Sequence, residues 1–345
     1  MEQIEIGKSG LRTSRIGLGT WAIGGWMWGG TDEAQSIATI RAAVEKGVTL
    51  IDTAPAYGSG RSEEIVGKAL AEAGLRNRVQ IATKVGLEWK DGRVFRNSRP
   101  ARIRTEIEES LKRLRTDVID LYQVHWPDVE TPIAETARAL EDLRREGKIR
   151  AIGVSNYSPA QMNSFRAFAN IDSIQSPYNL FEREIEQDVL PYAEKNGLTT
   201  LGYGALCRGL LSGRMTIDTK FEGDDLRNND PKFRGERFRN YLAAVDALQR
   251  IARERLGKTV LELAVRWVLD SGRTIALWGA RSPRQLDPIG EIDGWHIDQE
   301  TKNEIDPILN RYVTDPVSPA FMAPPLRREA GGNNQQSHLR KGMAQ

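Results

Sequence analysis

The sequence predicts a single (β/α)8 barrel, the TIM-barrel class of α/β fold. Apolar segments of strand length alternate with segments of helical periodicity along most of the chain, and neighbouring parallel strands require crossover connections of this kind. Eight strand-like segments follow one another from Ile16 without a break in composition, and a length of 345 residues suits one such barrel. A doubly wound open sheet is the alternative, but no G-x-G-x-x-G sequence follows the first strand.

The chain begins with a predicted hairpin, in which Gly10 forms the turn between residues 4–6 and 13–16. The first barrel strand is predicted at residues 16–19, and the loop after it carries three tryptophans within residues 21–30. The remaining strands are predicted at residues 50–52, 79–84, 118–125, 149–155, 173–175, 199–204 and 274–277.

Helical spacing and end signals predict the helices between these strands. Ile37, Ile40 and Val44 lie on one face of the first helix, and Ser62 is a candidate cap for the second. Pro132 precedes the fourth helix. The later helices are predicted at residues 62–71, 102–114, 133–146, 158–168 and 185–196, with a helical region at 240–269 and a last helix after Ser282.

Two stretches depart from this alternation. Residues 213–239 are too long for an ordinary βα loop and rich in Asp, Arg, Asn and Gly, which is typical of a functional lid or of disorder. Residues 328–345 are polar and predict a flexible tail after one barrel domain of residues 1–327.

Composition narrows the classes of function. Lys and Arg (49) nearly balance Asp and Glu (47) and are interleaved with them, so nucleic acid is not an expected partner. The single cysteine, Cys207, excludes an internal disulfide and a thiolate metal cluster and favours a reducing compartment. No stretch has the length of a membrane span, and the first residues lack a signal-peptide pattern. We therefore expect a cytoplasmic protein, monomeric or weakly homo-oligomeric, that binds no metal and no membrane.

Four chemically active residues stand at or just after strand ends. Asp52, Lys84 and His125 each end an apolar segment, and Tyr57 follows Asp52 by five residues. In a barrel, catalytic groups lie at the carboxyl ends of the strands. One polar residue at a strand end is often structural, but similar residues on successive strands favour a shared site.

This set predicts proton transfer to a carbonyl oxygen. A tyrosine with a pKa near ~10 is a weak acid, and lowering that pKa by ~3 units requires about 4 kcal/mol. One ammonium at ~4 Å supplies about that energy at an effective dielectric near 20. We therefore expect Lys84 to lower the pKa of Tyr57, Asp52 to keep Lys84 charged, and His125 to donate a hydrogen bond or relay a proton. The hydride must come from a cofactor.

The same residues and their flanking sequences resemble the aldo-keto reductases. The resemblance rests on L-I-D-T-A-P-A-Y-G, I-A-T-K, D-L-Y-Q-V-H-W, G-K-I-R-A-I-G-V-S-N and Y-G-A-L-C-R-G-L-L-S-G, and it extends over residues 4–327. It implies a (β/α)8 barrel with long βα loops over an extended NAD(P)H, reducing aldehydes or ketones, with Tyr57 as the general acid. W-G-A-R, E-G-D-D-L-R and F-M-A-P-P are most similar to a bacterial, stress-associated branch that uses NADPH.

The resemblance also implies the binding residues. Substrate is expected near Trp21, Tyr57, His125 and Trp126. Relatives carry more phosphate-binding residues at the adenine end. The expectation that the cofactor is NADP(H) therefore depends on the arginines that remain there as donors to a 2′-phosphate. The implied cofactor site comprises Thr20, Trp21, Asp52, Ser155, Asn156, Gln175, Tyr203, Gly204, Ala205, Leu206, Cys207, Arg208, Gly279, Ala280, Arg281 and Gln285.

Two other classes of function stay open. Lys84 at a strand end could form a Schiff base, as in a lyase. The chain could also be a regulatory subunit that binds cofactor with little turnover, similar to channel-associated members of the family. Asp52 and Tyr57 beside Lys84 favour the reductase over both. The natural substrate is expected to be a small aldehyde or an aldose-like carbonyl compound.

Overall fold

Eight parallel strands close into a barrel in the computed structural model, which describes residues 1–328. The closed order is β10-β11-β12-β3-β4-β5-β8-β9, so the predicted barrel is confirmed. The strands in chain order are β1 (Gln3–Glu5), β2 (Arg12–Ser14), β3 (Ile16–Gly19), β4 (Leu50–Asp52), β5 (Gln80–Val85), β6 (Leu87–Lys90), β7 (Arg93–Arg96), β8 (Ile119–Val124), β9 (Ile149–Ser155), β10 (Ser173–Pro177), β11 (Thr199–Tyr203) and β12 (Thr274–Gly279).

Helices connect the barrel strands and cover their outer face. Their buried faces pack on the strands and form a continuous apolar core around the barrel. The helices are α1 (Glu33–Glu45), α2 (Arg61–Glu72), α3 (Pro100–Leu114), α4 (Ile133–Arg145), α5 (Pro159–Arg166), α6 (Val189–Asn196), α7 (Gly235–Leu256), α8 (Val260–Leu269) and α9 (Gln299–Tyr312).

The predicted N-terminal hairpin, β1 with β2, closes one end of the barrel. Ile6 and Leu11 of this hairpin pack with inward-facing residues of the barrel, among them Leu50 and Leu121, in a second apolar cluster. The interior of the barrel at this end is therefore filled with side chains. Polar chemistry is left to the opposite end, where the strands finish.

Several element boundaries differ from the predictions. The predicted helical region at 240–269 is two helices, because Gly257 ends α7 in the left-handed conformation. The segment after Ser282 is a 3-10 helix, Pro283–Ile292, before α9. Residues 213–239 hold two short 3-10 turns and the first turn of α7. In the predicted helix at 185–196, regular α-helix begins only at Val189.

The hairpin of β6 and β7 is a feature that our sequence interpretation missed. Its strands pair antiparallel from Leu87 to Arg96, and the turn contains Asp91 and Gly92, both at positive φ. An Asp-Gly pair of this kind is a known signal for a two-residue hairpin turn. The hairpin rises beside the carboxyl ends of the strands and forms part of the site's rim.

The predicted division into a domain of residues 1–327 and a tail of 328–345 stays a prediction, because 329–345 lie outside the described residues. Within residues 1–328, none of the helices has the length and apolar character needed to cross a membrane.

Candidate active site

The four strand-end residues of the prediction converge on one point. Lys84 Nζ lies 2.6 Å from Asp52 Oδ2 and 3.2 Å from the Tyr57 hydroxyl, to which it donates. The ring of His125 meets the ring of Tyr57 edge-on, with 5.8 Å between centroids. The structure thus brings together all four predicted catalytic side chains, Asp52, Tyr57, Lys84 and His125 (the tetrad).

Backbone contacts hold Tyr57 in this place. Gly58 has a φ of +68°, and a Cβ on it would lie 2.2 Å from the carbonyl oxygen of Gly24. Only glycine allows this close approach of two loops. The contact sets Trp21, just before Gly24, against Tyr57 with stacked rings 6.1 Å apart.

Both oxygens of the buried Asp52 carboxylate have partners. Oδ2 accepts from Lys84, while Oδ1 accepts from Gln175 Nε2 at 2.8 Å and from Gln123 Nε2 at 3.3 Å. Lys84 donates in addition to the carbonyl oxygen of Thr53 at 3.0 Å. A buried ion pair needs such additional hydrogen bonds to offset its desolvation.

The electrostatics of Tyr57 differ from the sequence-based expectation. Burial, and then the negative charge of Asp52, raise the pKa of Tyr57 well above its ordinary value of 10. The expected lowering of that pKa by Lys84 does not occur, because burial and the charge of Asp52 oppose the effect of the ammonium. Asp52 lies closer to Lys84 than Tyr57 does, so the pair presents little net charge to the phenol. Tyr57 is therefore a protonated acid at neutral pH.

Burial, and then the charge of Lys84, hold the pKa of His125 well below its ordinary value of 6.5. Its imidazole is neutral near pH 7 and has one N–H to donate. Burial also lowers the pKa of Lys84, an effect that Asp52 opposes. The site thus combines a neutral phenol, a neutral imidazole and one ion pair.

Thr20 lies behind the site rather than in it. Its hydroxyl donates to the carbonyl oxygen of Asp52 at 2.9 Å and is itself fully buried. Ser62 is not the cap of α2, since Gly60 holds that position. Instead, the Ser62 hydroxyl lies 2.8 Å from Thr20 Oγ1 and ties the start of α2 to this layer.

Three predicted cofactor residues form a polar group beside the tetrad. Tyr203 donates to Asn156 Oδ1 at 3.0 Å. Asn156 Nδ2 lies 3.0 Å from Ser155 Oγ and 3.1 Å from the carbonyl oxygen of His125. Gln175 is directed towards Asp52 instead. The Tyr203 ring with an amide and a hydroxyl beside it fits an aromatic carboxamide such as nicotinamide, because it offers stacking, donors and acceptors together.

The segment from Gly204 to Arg208 turns in the left-handed region. Gly204, Cys207 and Arg208 all have positive φ, and Ala205 and Cys207 are buried. Burial raises the pKa of the Cys207 thiol, so this cysteine is not a nucleophile. Arg208 points its guanidinium into the protein, and Leu206 keeps partial exposure.

At the predicted adenine end, Gly279 is exposed and Ala280 buried. Arg281 donates through Nη1 to the carbonyl oxygen of Trp28 at 2.9 Å and through Nη2 to that of Gly30 at 2.6 Å. Gln285 uses its side-chain oxygen to accept from the Arg281 backbone N–H at 2.7 Å. Both terminal nitrogens of Arg281 are thus engaged by loop carbonyl groups, and Gln285 serves the local backbone.

Aromatic rings form the walls around the tetrad. Trp28 meets Trp21 edge-on at 5.4 Å, and Trp26 meets Trp89 of the β6–β7 hairpin at 4.8 Å. Trp126 lies at the rim under the guanidinium of Arg96. Trp21 and Trp126, the two predicted substrate tryptophans, thus occur on different sides of the opening.

Our sequence interpretation missed Gln123, which bonds Asp52. A signal was present, because side chains two apart in a strand share a face, and Gln123 precedes His125 by two positions. It also missed Glu182 and Lys232, which surround Arg208. No group of three or more His, Cys, Asp or Glu among residues 1–328 has the arrangement of a metal site.

Comparisons with known proteins agree with this geometry. The model of the Aldo/keto reductase family matches residues 15–310. Aldo-keto reductase YhdN of Bacillus subtilis (strain 168) is 60% identical over 95% of this chain and 100% of its own length. The NADH-specific methylglyoxal reductase of Escherichia coli (strain K12) is 38% identical over 83% of this chain and 91% of its own.

Solved structures give the same result. The glycerol dehydrogenase AKR11B4 from Gluconobacter oxydans is 56% identical, with a TM-score of 0.84 over 93% of this chain and 99% of its own. An aldo-keto reductase from Klebsiella pneumoniae, solved in complex with NADPH, is 29% identical, with a TM-score of 0.67 over 90% of this chain and 95% of its own.

The barrel, the polar group at its carboxyl end and these relatives together place the chain among the barrel oxidoreductases. The chain is a member of the aldo/keto reductase family. The family uses a nicotinamide cofactor, and the resemblance inferred from the sequence is confirmed. The roles of individual residues stay predictions.

Proposed function

We propose that this protein reduces aldehydes or ketones to alcohols with NADPH, reversibly. The observation that carries the proposal is the convergence of a protonated Tyr57 with the ion pair of Lys84 and Asp52. A bound nicotinamide cofactor supplies the hydride. Everything else in the reaction falls to side chains of this chain.

Tyr57 is the proton donor. Its hydroxyl hydrogen passes to the carbonyl oxygen as charge develops there, and Lys84, 3.2 Å away, stabilises the phenolate that remains. His125, neutral, donates a hydrogen bond to the same oxygen and orients the substrate. Asp52 holds Lys84 in place and charged.

Ser155, Asn156 and Tyr203 would hold the nicotinamide, as their mutual hydrogen bonds and the aromatic ring support. For the choice between NADPH and NADH, Arg281 is the residue that supports NADPH, because a guanidinium suits a 2′-phosphate. The Klebsiella relative was solved with NADPH, whereas the Escherichia coli relative is NADH-specific. We therefore propose a preference for NADPH rather than an absolute requirement.

For the substrate we propose small aldehydes and aldose-like carbonyl compounds. Tryptophans around the tetrad suit both apolar and sugar-like faces. The names of two relatives, a methylglyoxal reductase and a glycerol dehydrogenase, also point to small oxygenated substrates.

The test is consumption of NADPH and of NADH with a panel of small aldehydes and aldoses, comparing wild type with Tyr57→Phe. Tyr192→Phe is the matched control, because that phenol bonds Asn163 on the outer helices. We expect turnover to collapse by at least ~10²-fold in Tyr57→Phe only, with NADPH binding retained. Equal turnover in the two variants contradicts the acid role.

One observation supports a second candidate, a Schiff-base lyase. Burial lowers the pKa of Lys84, which is a requirement for an amine nucleophile. Borohydride trapping of substrate on Lys84 would establish it. A regulatory subunit is a third candidate. Tight NADPH binding without turnover of any carbonyl compound would favour it.

We further propose that residues 1–327 act as one domain, in the cytoplasm, as a monomer or weak homo-oligomer. The single cysteine of the sequence supports a reducing compartment. Light scattering on the purified protein measures the oligomeric state, and localisation of a tagged copy measures the compartment.

A further inference from the structure

Four charged side chains are buried together beneath the segment of residues 203–209. Arg208 Nη1 lies 3.2 Å from Glu182 Oε1 and 3.1 Å from Asp230 Oδ2. Lys232 Nζ lies 2.9 Å from the same Glu182 oxygen and 3.6 Å from Asp230 Oδ1. All four residues are at most 9% exposed. We call them the charge quartet.

Stability alone is a weak reason for such a group. Two cations and two anions balance, but removing them from water costs about as much as their attraction returns. The Arg208 Nε–H also finds no hydrogen-bond partner among residues 1–328, and a buried donor left unpaired costs about 1–3 kcal/mol. Buried ion groups of this kind are better attested as devices that specify one geometry.

The charge quartet joins four separate segments of chain. Glu182 follows β10, and Asn179 Nδ2 bridges it to the carbonyl oxygen of Gly204, at 2.7 and 3.0 Å. Asp230 and Lys232 belong to the long segment before α7. Close to the C-terminal end of the described chain, Met322 accepts from Arg208 Nη2 through its sulfur at 3.0 Å, and the Phe321 ring lies 5.5 Å from the guanidinium.

The backbone at Arg208 indicates what this convergence does. Cys207 and Arg208 have φ of 45° and 54°, a region that non-glycine residues enter at a cost. Glycine would relieve that cost at either position. The Arg208 guanidinium donates a hydrogen bond to Glu182 and lies within ion-pair distance of Asp230, so it connects the turn to both carboxylates.

We propose that Arg208 is a positioning residue for the dinucleotide cofactor and not a phosphate ligand. Through the charge quartet it fixes the left-handed turn that follows Tyr203, and with it the nicotinamide half of the binding groove. The inference rests on the proposed function, because it requires the cofactor to lie along residues 203–209. It replaces the expectation, implied by the family resemblance, that Arg208 belongs to the residues that contact the cofactor.

The experiment compares Arg208→Met, the charge-balanced pair Arg208→Met with Asp230→Asn, and the conservative Arg208→Lys. Thermal midpoints, and the affinities for NADPH and for 2′,5′-ADP by calorimetry, are measured for each. The second ligand carries the adenine end without a nicotinamide. We expect the double variant to recover the thermal midpoint that Arg208→Met loses, yet to bind NADPH at least ~10-fold more weakly, with 2′,5′-ADP within twofold of wild type. Arg208→Lys should show the same selective loss, several-fold in size, because an ammonium lacks the second terminal nitrogen with which the guanidinium reaches Met322.

Salt dependence separates positioning from direct contact. The charge quartet is neutral overall in wild type and in the double variant, so the fall of NADPH affinity with ionic strength should have the same slope in both. A shallower slope in the double variant means that Arg208 contacts phosphate and overturns the proposal. Unchanged NADPH affinity in the double variant, or equal losses for both ligands, also overturns it. Failure of wild type to bind either ligand refutes the proposed function instead.

Discussion

The rate of carbonyl reduction should be nearly independent of pH between pH 6 and 9. The reason is the charge balance at Tyr57. An isolated ammonium 3.2 Å from the hydroxyl would favour the phenolate by about 5 kcal/mol at an effective dielectric near 20. Asp52, 2.6 Å from that ammonium, opposes this stabilisation, and burial adds a penalty on the anion. The pKa of Tyr57 consequently lies well above 10.

A raised and a lowered pKa of Tyr57 predict clearly different reaction rates at pH 9. With the pKa of the phenol above 10, less than about a tenth of Tyr57 is ionised at pH 9, and the rate hardly changes. A phenol tuned to a pKa of about 7 would be only ~1% protonated at pH 9, and the rate would fall ~100-fold. On the acid side, His125 stays neutral above pH 6, because its pKa is lowered well below 6.5.

The assay is kcat/KM for a small aldehyde at saturating NADPH, measured from pH 6 to 9 at constant ionic strength. Tyr57→Phe gives the background at each pH, and unfolding monitored at both extremes excludes a loss of fold. A tenfold fall per pH unit starting near pH 7 would refute the charge-balance reasoning and restore the single-charge argument made from the sequence.

Three further results are expected, each measured by urea unfolding. Lys84→Met leaves the Asp52 carboxylate buried without its cation, so it should lower the free energy of unfolding by about 3–5 kcal/mol. Adding Asp52→Asn should restore much of this stability but not the activity. A single variant as stable as wild type contradicts this expectation. Burial raises the pKa of Glu106 to about 7 from 4.5, so the folded state binds the extra proton and stability should decline by about 3 kcal/mol as pH rises through that window. Glu106→Gln should remove this decline of stability with pH. An unchanged decline means that another group causes it. A Cβ on Gly153 would lie 2.4 Å from a buried serine hydroxyl, so Gly153→Ala should cost about 1–3 kcal/mol, whereas Gly290→Ala, with nothing within 4 Å, should cost less than about 1 kcal/mol.

The features that could be predicted from the sequence are those set by local signals. Asp52, Lys84 and His125 each end an apolar segment, and parallel barrel strands carry their ends to one face. The strand at residues 149–155 was predicted to the residue, because its apolar pattern has clear boundaries. In contrast, the β6–β7 hairpin was missed although Asp91 and Gly92 signal it, since it interrupts the expected alternation.

The sign of the Tyr57 pKa shift could not be found by the same means. The sequence indicates that Lys84 and Asp52 share the site, but the sign depends on which of them lies nearer the phenol and on how much water remains. Those are distances and burial, which follow from the packing of β4, β5 and the loop after β4. The direction in which one charged residue shifts the pKa of its neighbour can therefore be predicted only when the position of the first residue's own partner is known.

Arg208 and Arg281 show the same limit for binding residues. Both follow a late barrel strand on a glycine-containing segment, and both were expected to face the cofactor. Arg281 donates to two loop carbonyl groups at the surface, whereas Arg208 turns inward to Glu182 and Asp230. The carboxylates that decide this lie 26 and 22 positions from Arg208, so no local pattern encodes the choice. Which of the two arginines turns inward and which stays at the surface therefore follows from how the long loops pack on one another.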